Sequence, residues 1–248
     1  MPDTEGYPSP DPRHPDPDKP ERVRRMFAAI HGHYDRMNRL MTLGRDLAWR
    51  RAALRETNLP PDGLLLDVAT GSGDVLVQAM RLVPGARAVG VDFTPEMLGL
   101  AQARLVEAGY WGRFALLQGD ALSLPFPDGT FDAVISAFMM RNVADVRLAL
   151  AEQRRVVRPG GRVVCLELTW PRHPAFQRLF GLYFQRFVPW MGGLLSGHRE
   201  AYRYLPASVA SFYTREEMLS FMEGAGLAHL RCRTLMLGTV AIYTGERV

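Results

Sequence analysis

Two glycines follow a short apolar run in the segment LLLDVATGSGDVLVQAM, residues 64–80. The run predicts a buried strand, the glycines predict a tight turn, and the apolar pattern beyond them predicts a helix. In a doubly wound sheet, ligands bind beyond the carboxyl ends of the strands, where a glycine turn exposes the N–H groups of the next helix. We therefore expect residues 67–74 to hold a cofactor.

The spacing of these glycines argues against two common cofactor sites. A dinucleotide fingerprint has a small residue three positions after its second glycine, whereas Leu76 follows Gly73 at that distance. A Walker phosphate loop needs Gly-Lys-Ser/Thr, which does not follow. The glycine pair alone also fits a plain tight turn, so the type of ligand has to be inferred from the neighbouring strands.

Acidic residues stand at the ends of the next two predicted strands, in the segments GVDFTPEML and GDALSLPF. Asp92 can accept two hydrogen bonds from a ribose diol, and Asp120 can accept one from an adenine amino group. Each acid alone could instead cap the turn or helix that follows it. Because these features end three successive strands, together they predict a nucleoside pocket without a pyrophosphate site.

Short apolar runs alternate with helical patterns along most of the chain. We predict strands at 64–68, 88–92, 114–118, 133–137 and 162–168, and helices at 74–82, 94–108 and 146–157. This alternation predicts an α/β fold in which helices cover both faces of a parallel sheet. Two last strands, at 228–235 and 239–247, are joined by Leu237 and Gly238 and predict a closing hairpin.

The composition is that of a globular protein, with 248 residues of which 47% are hydrophobic and 23% charged, and it favours one domain. No run approaches the roughly 18 apolar residues of a membrane-spanning helix, and the first residues lack the basic start and apolar core of a signal peptide. Cys165 and Cys232 lie in apolar strand-like runs, which predicts buried, reduced thiols. We expect a cytosolic protein without a structural metal.

Residues 1–20 are dense in proline and aspartate and have almost no apolar periodicity, so they predict a disordered tail. Residues 21–248 are predicted to form the single folded domain. Because most charges of the tail are acidic, this domain is more basic than the net charge of +4 indicates. Its arginines are scattered, which is typical of a solvated surface, while attraction to an anionic membrane or to nucleic acid stays open.

The ordered motifs LDVATGSGD, VGVDFTPEML, GDALSLPF, FDAVISAF and RVVRPGGRVVCLEL resemble those of class I S-adenosylmethionine (SAM) methyltransferases. Over residues 22–247 the chain more narrowly resembles the ubiquinone/menaquinone biosynthesis C-methyltransferases. That likeness rests on MFAAIHGHYDRMNRLMTLGRDLAWRR, MRNV, LELTWP, YRYLPASVASF and LGTVAIYTGER. It implies a doubly wound, mostly parallel seven-stranded sheet with an antiparallel last strand, and SAM as the cofactor.

The resemblance also implies which residues hold the cofactor. They lie in the glycine turn and at the ends of the next strands: Asp67, Ala69, Thr70, Gly71, Gly73, Asp92, Phe93, Met97, Asp120, Ala121 and Ser136. The family usually has Cys and Thr where this chain has Thr70 and Ser72, which are also small and polar. It usually has glycine where this chain has Met139, whose larger side chain could narrow or reshape the substrate pocket.

The reaction implied by the resemblance is methylation of a ring carbon on a reduced, prenylated quinone. Demethylmenaquinol is favoured as the acceptor, while a benzoquinol, or both, stays open. A neutral ring carbon is a poor nucleophile, but loss of the adjacent hydroxyl proton makes it enolate-like and able to attack the sulfonium methyl. Because the charges neutralise in the transition state, a dry pocket favours the transfer. The protein must therefore exclude water, stabilise an oxyanion and provide a route for the proton.

Arg141 and Asn142 follow the fourth predicted strand and are our candidates for the oxyanion contact. The alternative is that Arg141 pairs with Asp145 or Glu152 and that Asn142 caps the next helix. Arginine stays protonated, so it can order a water or the quinol hydroxyl but is a poor proton acceptor. The candidates for the base are Tyr34, His198 and Tyr204.

Two helical segments are expected to cover the site. Residues 21–56 predict a lid over the cofactor, although simple packing of an amphipathic helix explains the same pattern. Within a second cover at 172–205, the stretch 175–197 is apolar apart from a polar stripe that carries Arg178 and Arg186. It could be a core helix, a dimer face or a cover that receives a prenyl tail at the membrane surface. The last would place a cytoplasmic protein on the inner face of the cell membrane.

Other functions predict different motifs or different binding and turnover behaviour. Nucleic-acid amino methyltransferases resemble one another in an Asn/Asp-Pro-Pro-aromatic motif after the fourth strand, whereas this chain has AFMM there, so no nucleic-acid partner is expected. Another small-molecule methyltransferase would bind SAM but ignore demethylated quinols. A noncatalytic partner of a biosynthetic complex would bind SAM without turnover, and an NAD oxidoreductase would quench nicotinamide fluorescence.

Overall fold

The computed structural model describes residues 11–13, 16–196 and 199–248. Within them, one seven-stranded sheet has the order β3-β2-β1-β4-β5-β7-β6. Its strands are β1 (Leu64–Val68), β2 (Arg87–Asp92), β3 (Phe114–Gln118), β4 (Phe131–Ala137), β5 (Val157–Leu168), β6 (Ala228–Leu235) and β7 (Val240–Glu246). β7 is antiparallel to both neighbours, and the other pairs are parallel. The predicted doubly wound sheet with its closing hairpin is confirmed.

Helices connect the strands and cover the sheet. They are α1 (Lys19–Thr42), α2 (Arg45–Glu56), α3 (Asp74–Leu82), α4 (Pro95–Glu107), α5 (Val146–Val156), α6 (Pro174–Leu182), α7 (Val188–Ser196), α8 (Arg199–Ser211) and α9 (Arg215–Gly224), with a π-helical segment, Tyr183–Phe187, between α6 and α7. Apolar side chains of α2 and α3 pack on one face of the sheet, and those of α5 and α9 pack on the other.

The central strand β1 explains where the site forms. Leu65, Leu66 and Val68 are fully buried because β1 is covered on both faces, which is typical of a parallel strand. The chain moves from β1 outward to β2 and β3, then returns to β4 on the other side of β1. Such a reversal of strand order opens a crevice at the carboxyl ends of the two strands, here β1 and β4.

A third apolar cluster lies outside the sheet and joins α1 to the segments after β5. Met26, Ile30 and Met37 of α1 pack with Phe184 and Val188 in this cluster. The hydroxyl of Tyr183 also donates to the carbonyl of Met41 over 2.8 Å. The segments predicted as a lid and as a substrate cover therefore pack against each other, and we refer to α1 with α6–α8 as the helical cap.

Part of the segment predicted as a disordered tail, residues 1–20, lies among the described residues. Residues 1–10, 14 and 15 lie outside the described residues, but α1 already begins at Lys19, whose side chain is buried. Arg13 donates to the carbonyl of Ser211 over 2.7 Å. These contacts are polar, so the apolar periodicity from which order is predicted gives no sign of them.

The described part of the chain also bears on the state of the two cysteines and on membrane-spanning helices. Cys165 and Cys232 are both free, but only Cys165 is buried, since Cys232 lies on the half-exposed β6. None of the described helices is both long enough and apolar enough to cross a membrane.

Candidate active site

The turn between β1 and α3 contains three residues with left-handed backbone. Ala69, Gly71 and Gly73 have φ angles of 58°, 56° and 81°. Glycine is favoured at residue 73, because its backbone is left-handed and a Cβ there would lie 3.1 Å from the Cβ and 3.2 Å from the Cα of Ala101 in α4. Ala69 adopts this sparsely populated conformation with a side chain, which is a strain found mainly at functional sites. The backbone of the turn thus supports a ligand site.

Asp92, at the end of β2, holds the turn and the start of α4 together. Its carboxylate accepts from the N–H of Gly71 over 2.8 Å and from the N–H of Thr94 over 2.9 Å. Burial raises the pKa of Asp92, while these backbone hydrogen bonds oppose the rise. The acid is therefore fixed by the protein itself, with its carboxylate at the wall of a cavity.

This first cavity is an open cleft, with about 850 Å³ of empty space that includes solvent at its mouth, and it lies beyond the carboxyl ends of β1, β2 and β4. Seven residues predicted to bind cofactor line it: Ala69, Gly71, Asp92, Phe93, Met97, Asp120 and Ala121. Asp120 also accepts from the N–H of Leu122 over 2.9 Å, so part of its carboxylate caps the local turn. The structure brings the glycine turn and both predicted acids to one cavity.

Four residues predicted to bind cofactor lie buried behind this surface: Asp67, Thr70, Gly73 and Ser136. The Thr70 hydroxyl donates to Oδ2 of Asp67 over 2.6 Å, which ties the turn to β1. Burial raises the pKa of Asp67 to about 7. Oδ1 of Asp67 and the hydroxyl of Ser136 have no hydrogen-bond partner among the described residues. These residues support the turn, and two of them keep a buried polar atom unused.

The chemistry of the first cavity fits SAM. The charged residues in its described lining are Asp92, Asp120 and Arg24, and Arg24 already donates to Glu21 over 2.8 and 2.9 Å. Such a lining provides acceptors for a ribose and an amino group but little to neutralise phosphates. Apolar walls from Met97 and Leu122 suit a flat base. A cation with a nucleoside, rather than a dinucleotide, matches this set of groups.

A second cavity, with about 970 Å³ of empty space that includes solvent at its mouth, adjoins the first and is lined mainly by the helical cap. Most of its wall is apolar or aromatic, including Met26, Ile30, Phe180 and Phe184. Four residues line both cavities: Phe27, Tyr34, Phe138 and Asn142. A cofactor in one cavity and an apolar acceptor in the other would therefore meet at these side chains.

Arg141 faces the second cavity and pairs with an acid that the sequence did not single out. Its Nη1 donates to Oε2 of Glu167, at the end of β5, over 2.7 Å. Neither predicted alternative partner is used, because Asp145 caps α5 and Glu152 pairs with Arg155. Nε of Arg141 is buried and has no hydrogen-bond partner among the described residues. The guanidinium is thus held from one side and keeps a donor unused.

Asn142 is fixed by hydrogen bonds rather than used as a helix cap. Its Nδ2 donates to the carbonyl of Phe138 over 3.1 Å, and its Oδ1 accepts from the hydroxyl of Tyr204 over 3.1 Å. Phe138 itself has a φ angle of 63° at the end of β4. This left-handed residue turns the chain sharply between β4 and the Arg141–Asn142 pair, again at a position where strain is associated with function.

The candidates for the base have different outcomes. Tyr34 lines both cavities and Tyr204 lines the second. Burial raises the pKa of both phenols, so near neutral pH they are hydrogen-bond donors and poor proton acceptors. His198 lies outside the described residues.

An ionic network fastens α1 to the glycine turn. Asp35 accepts from the hydroxyl of Ser72 over 2.6 Å and pairs with Arg104 of α4. Arg39 donates to Asp74 over 2.7 Å and pairs with Asp46. The first helix is therefore joined to the glycine turn by polar contacts as well as apolar packing, and its role as a lid stays a prediction.

Comparison with known proteins gives consistent similarities. Residues 17–247 match the model of the ubiE/COQ5 methyltransferase family. A demethylmenaquinone methyltransferase from Thermus thermophilus is 46% identical over 222 residues, which are 90% of this chain and 100% of the relative. The ubiquinone/menaquinone biosynthesis C-methyltransferase UbiE from Geobacter sulfurreducens is 42% identical over 93% of this chain and 90% of the relative.

Solved structures share the fold at low sequence identity. A SAM-dependent methyltransferase from Thermotoga maritima has a TM-score of 0.63 at 17% identity, covering 91% of this chain and 100% of that one. Another from Aquifex aeolicus has a TM-score of 0.60 at 19% identity, covering 86% of this chain and 98% of that one. These similarities confirm the predicted fold class.

Proposed function

The chain belongs to the ubiE/COQ5 methyltransferase family, and we propose that it transfers the methyl group of SAM to a ring carbon of demethylmenaquinol. Family membership supports SAM as the cofactor and a carbon of a reduced quinone as the acceptor. Relatives named demethylmenaquinone methyltransferase, such as that of Deinococcus radiodurans at 43% identity, favour the naphthoquinol over a benzoquinol. A dual-pathway enzyme is the alternative, since relatives named for both quinones are similarly close.

One observation supports this function above the others: the two cavities share a wall. The first has acids suited to SAM, the second is largely apolar, and Tyr34, Phe138 and Asn142 border both. An in-line transfer requires the sulfonium methyl and the accepting carbon to face each other in van der Waals contact. The shared wall is where a cofactor and an apolar ring would do so.

The surroundings of this wall suit a reaction that neutralises charge. Water stabilises an anionic ring carbon and a sulfonium more than it stabilises the transition state between them, in which the charges neutralise. Excluding water therefore lowers the barrier to the transfer. The apolar side chains of α1 and of the segments after β5 would keep water away from the second cavity. SAM supplies the methyl group when bound, and the protein supplies a dry, ordered environment.

Arg141 and Asn142 are proposed to hold the oxygen that becomes negative. Arg141 has its unused Nε–H in the buried interior, and its pairing with Glu167 keeps the guanidinium oriented. Asn142 borders both cavities and is fixed by Tyr204 and Phe138. Donors that are already oriented stabilise developing charge without a further cost of ordering. Tyr34, which also borders both cavities, can donate a third hydrogen bond.

The acceptor's prenyl tail suggests how the protein would meet a membrane. Phe180, Tyr183 and Phe184 line the second cavity, while Leu179, Leu182, Phe187 and Trp190 from the same helical segments are exposed. Arg178 and Arg186 are exposed beside them. Apolar side chains flanked by arginines suit the interface of an anionic bilayer. We propose peripheral binding to the inner face of the cell membrane through this surface, with a homodimer through it as the competing use.

The experiment that tests the function measures methyl transfer from labelled SAM. Reduced demethylmenaquinone and a reduced demethyl benzoquinol are compared, with the oxidised quinones as controls. Transfer to the reduced naphthoquinol alone supports the proposal, and transfer to both means a dual-pathway enzyme. If neither quinol is methylated while calorimetry still detects SAM binding, the chain is a methyltransferase for another acceptor or a noncatalytic SAM-binding partner.

A further inference from the structure

The loop between β4 and α5 is held from outside by one buried amine. Nζ of Lys19 donates to the carbonyl of Arg141 over 3.2 Å and to the carbonyl of Val143 over 2.9 Å. These carbonyls flank Asn142, so a single ammonium fixes the backbone on both sides of that residue. Lys19 is 3% exposed, which leaves its side chain little freedom to leave this position.

The position is unfavourable for a lysine on two independent grounds. Lys19 is the first residue of α1, and a cation at a helix N-terminus opposes the helix dipole. Its burial also removes the ammonium from water, and this desolvation lowers the pKa of Lys19 to about 8, although the charges of Asp16 and Asp11 favour the ammonium. The needs of the helix alone therefore do not account for a lysine here.

The same end of α1 forms part of the first cavity. Pro20, Val23, Arg24 and Phe27, in the first turns after Lys19, line that cavity. The end of α1 that lines the cofactor cavity therefore also carries the amine that holds the loop. On the loop side, Arg141 pairs with Glu167, and Asp145 caps α5. Lys19 consequently contacts the backbone of the loop and leaves the Arg141–Glu167 pair intact.

We propose that Lys19 is a positioning residue that orients Asn142 toward the wall shared by the two cavities. It acts through the carbonyls of Arg141 and Val143 and touches neither cofactor nor acceptor. The inference rests on the proposed function, because it assumes that Asn142 contacts the acceptor. Its structural part, an ordered loop around Asn142, can be measured without any acceptor.

The first measurement is amide hydrogen exchange in peptides that cover residues 139–144. Lys19→Met removes the ammonium while keeping a side chain of similar length. Arg25→Met is the matched control, since Arg25 is an exposed cation on the same helix that pairs with Glu21. We expect Lys19→Met to speed exchange in this loop about tenfold or more, and Arg25→Met to leave it unchanged. Equal exchange in Lys19→Met and the wild type overturns the inference, whatever the acceptor proves to be.

The second measurement is a double-mutant cycle on kcat with Lys19→Met and Asn142→Ala. If Lys19 acts through Asn142, Lys19→Met should lower kcat about tenfold in the wild type and less than about twofold in the Asn142→Ala background. The affinity for S-adenosylhomocysteine should change little. The same fold loss in both backgrounds would mean a general structural role and would overturn the inference.

A third variant separates loss of position from loss of folding. Lys19→Arg keeps the charge and donors, so it should restore part of both the exchange protection and kcat if position matters. If Lys19→Met does not fold, Lys19→Arg replaces it in the double-mutant cycle. A planar guanidinium cannot place one nitrogen between the two carbonyls as the ammonium does, so this variant still perturbs the position of the loop. A wild type that binds SAM but methylates no quinol contradicts the proposed function, while faster loop exchange in Lys19→Met than in the wild type would still support the role of Lys19.

Discussion

Glu167 and Arg141 form a buried ion pair beside the second cavity. Nη1 of Arg141 lies 2.7 Å from Oε2 of Glu167, and the backbone N–H of Arg141 donates to Oε1 over 3.4 Å. Glu167 is fully buried and Arg141 nearly so. Burial raises the pKa of Glu167, and the charge of Arg141 opposes that rise. The guanidinium of Arg141 therefore favours the ionised form of Glu167, and Glu167 is the buried counter-charge of Arg141.

Glu167→Gln should destabilise the protein strongly. The amide keeps an acceptor for Arg141 but leaves a buried guanidinium without a counter-charge, which costs about 3–5 kcal/mol. Denaturant unfolding measures this loss. Glu216→Gln is the control, because Glu216 pairs with Arg172 at an exposed site and its loss should change the stability little. Similar small losses for both variants would mean that Arg141 does not depend on Glu167.

Arg141→Ala should separate binding from chemistry. Because Arg141 lines the second cavity and not the first, affinity for S-adenosylhomocysteine should stay within about twofold, while kcat falls about 10²–10³-fold through loss of an oxyanion donor. Calorimetry and labelled-methyl transfer measure the two effects below the unfolding temperature. Arg147→Ala, at an exposed position on α5, is the control. A wild-type kcat in Arg141→Ala would make this arginine a structural residue only.

Asp92→Ala should weaken SAM binding. The carboxylate organises the glycine turn and borders the first cavity, and a charge-assisted hydrogen bond is worth about 1.5–3 kcal/mol, so the Kd should rise at least tenfold. Calorimetry measures the Kd, and thermal unfolding without ligand checks the turn. Glu107→Ala, at an exposed site on α4, should bind normally. Unchanged affinity in Asp92→Ala would remove Asp92 from the cofactor site.

Asp67 gives a pH dependence with a definite sign. Burial raises its pKa from 3.8 to about 7, so its carboxylate destabilises the fold above pH 7, and the penalty disappears as the pH falls from 7 to 4. Asp67→Asn has no charge to bury and can still accept from Thr70. It should be more stable than the wild type at pH 8, by roughly 4 kcal/mol at most, and equal near pH 4. Unfolding curves at both pH values test this, and a constant difference would contradict it.

The sequence predicts the sheet well because its strands are locally encoded. β1, β3 and β6 begin and end at the predicted residues, since each apolar run is bounded by turn-forming or polar residues. β2, β4 and β7 differ from their predicted ends by one or two residues, and β5 differs most, because it begins at Val157 rather than at 162. Pro159, Gly160 and Gly161 predict a turn there, but pairing between Phe131 and Val157 extends the strand across an irregular register.

The site is only partly predictable for the same physical reason. Asp92 and Asp120 are found because their role follows from standing at the end of a strand. Lys19 is separated from its partner Arg141 by 122 positions, and no local pattern marks it. Glu167 does have a signal, because it is a lone acid in the apolar strand segment VVCLEL and such a residue is rarely buried without a partner. The partner itself is defined only by the fold.

The exposed apolar side chains of the helical cap can be compared with an exposed apolar side chain elsewhere in the protein. Leu179 and Leu182 are 63% and 56% exposed on α6, near the second cavity. Trp111 is 68% exposed, but it precedes β3 and so lies at the amino-terminal edge of the sheet, away from both cavities. If exposed apolar area alone caused membrane binding, the surface around Leu179 and Leu182 and the surface around Trp111 would both bind vesicles. If the arginine-flanked cap is the membrane surface, only the surface around Leu179 and Leu182 would bind them.

The double variant Leu179→Ser/Leu182→Ser should therefore bind anionic vesicles about tenfold or more weakly than the wild type, because it removes two side chains that would be buried at the interface. Trp111→Ser should bind normally, and neutral vesicles should bind all three proteins poorly, since Arg178 and Arg186 would lose their counter-charges.

Co-sedimentation measures binding, and turnover is compared for a short-tailed soluble quinol and a long-tailed quinol in vesicles. In the double variant, only the turnover of the long-tailed quinol in vesicles should fall. Equal loss of both rates would place these leucines in the fold of the cap, and conversion of a dimer to a monomer without loss of vesicle binding would make this surface a subunit interface.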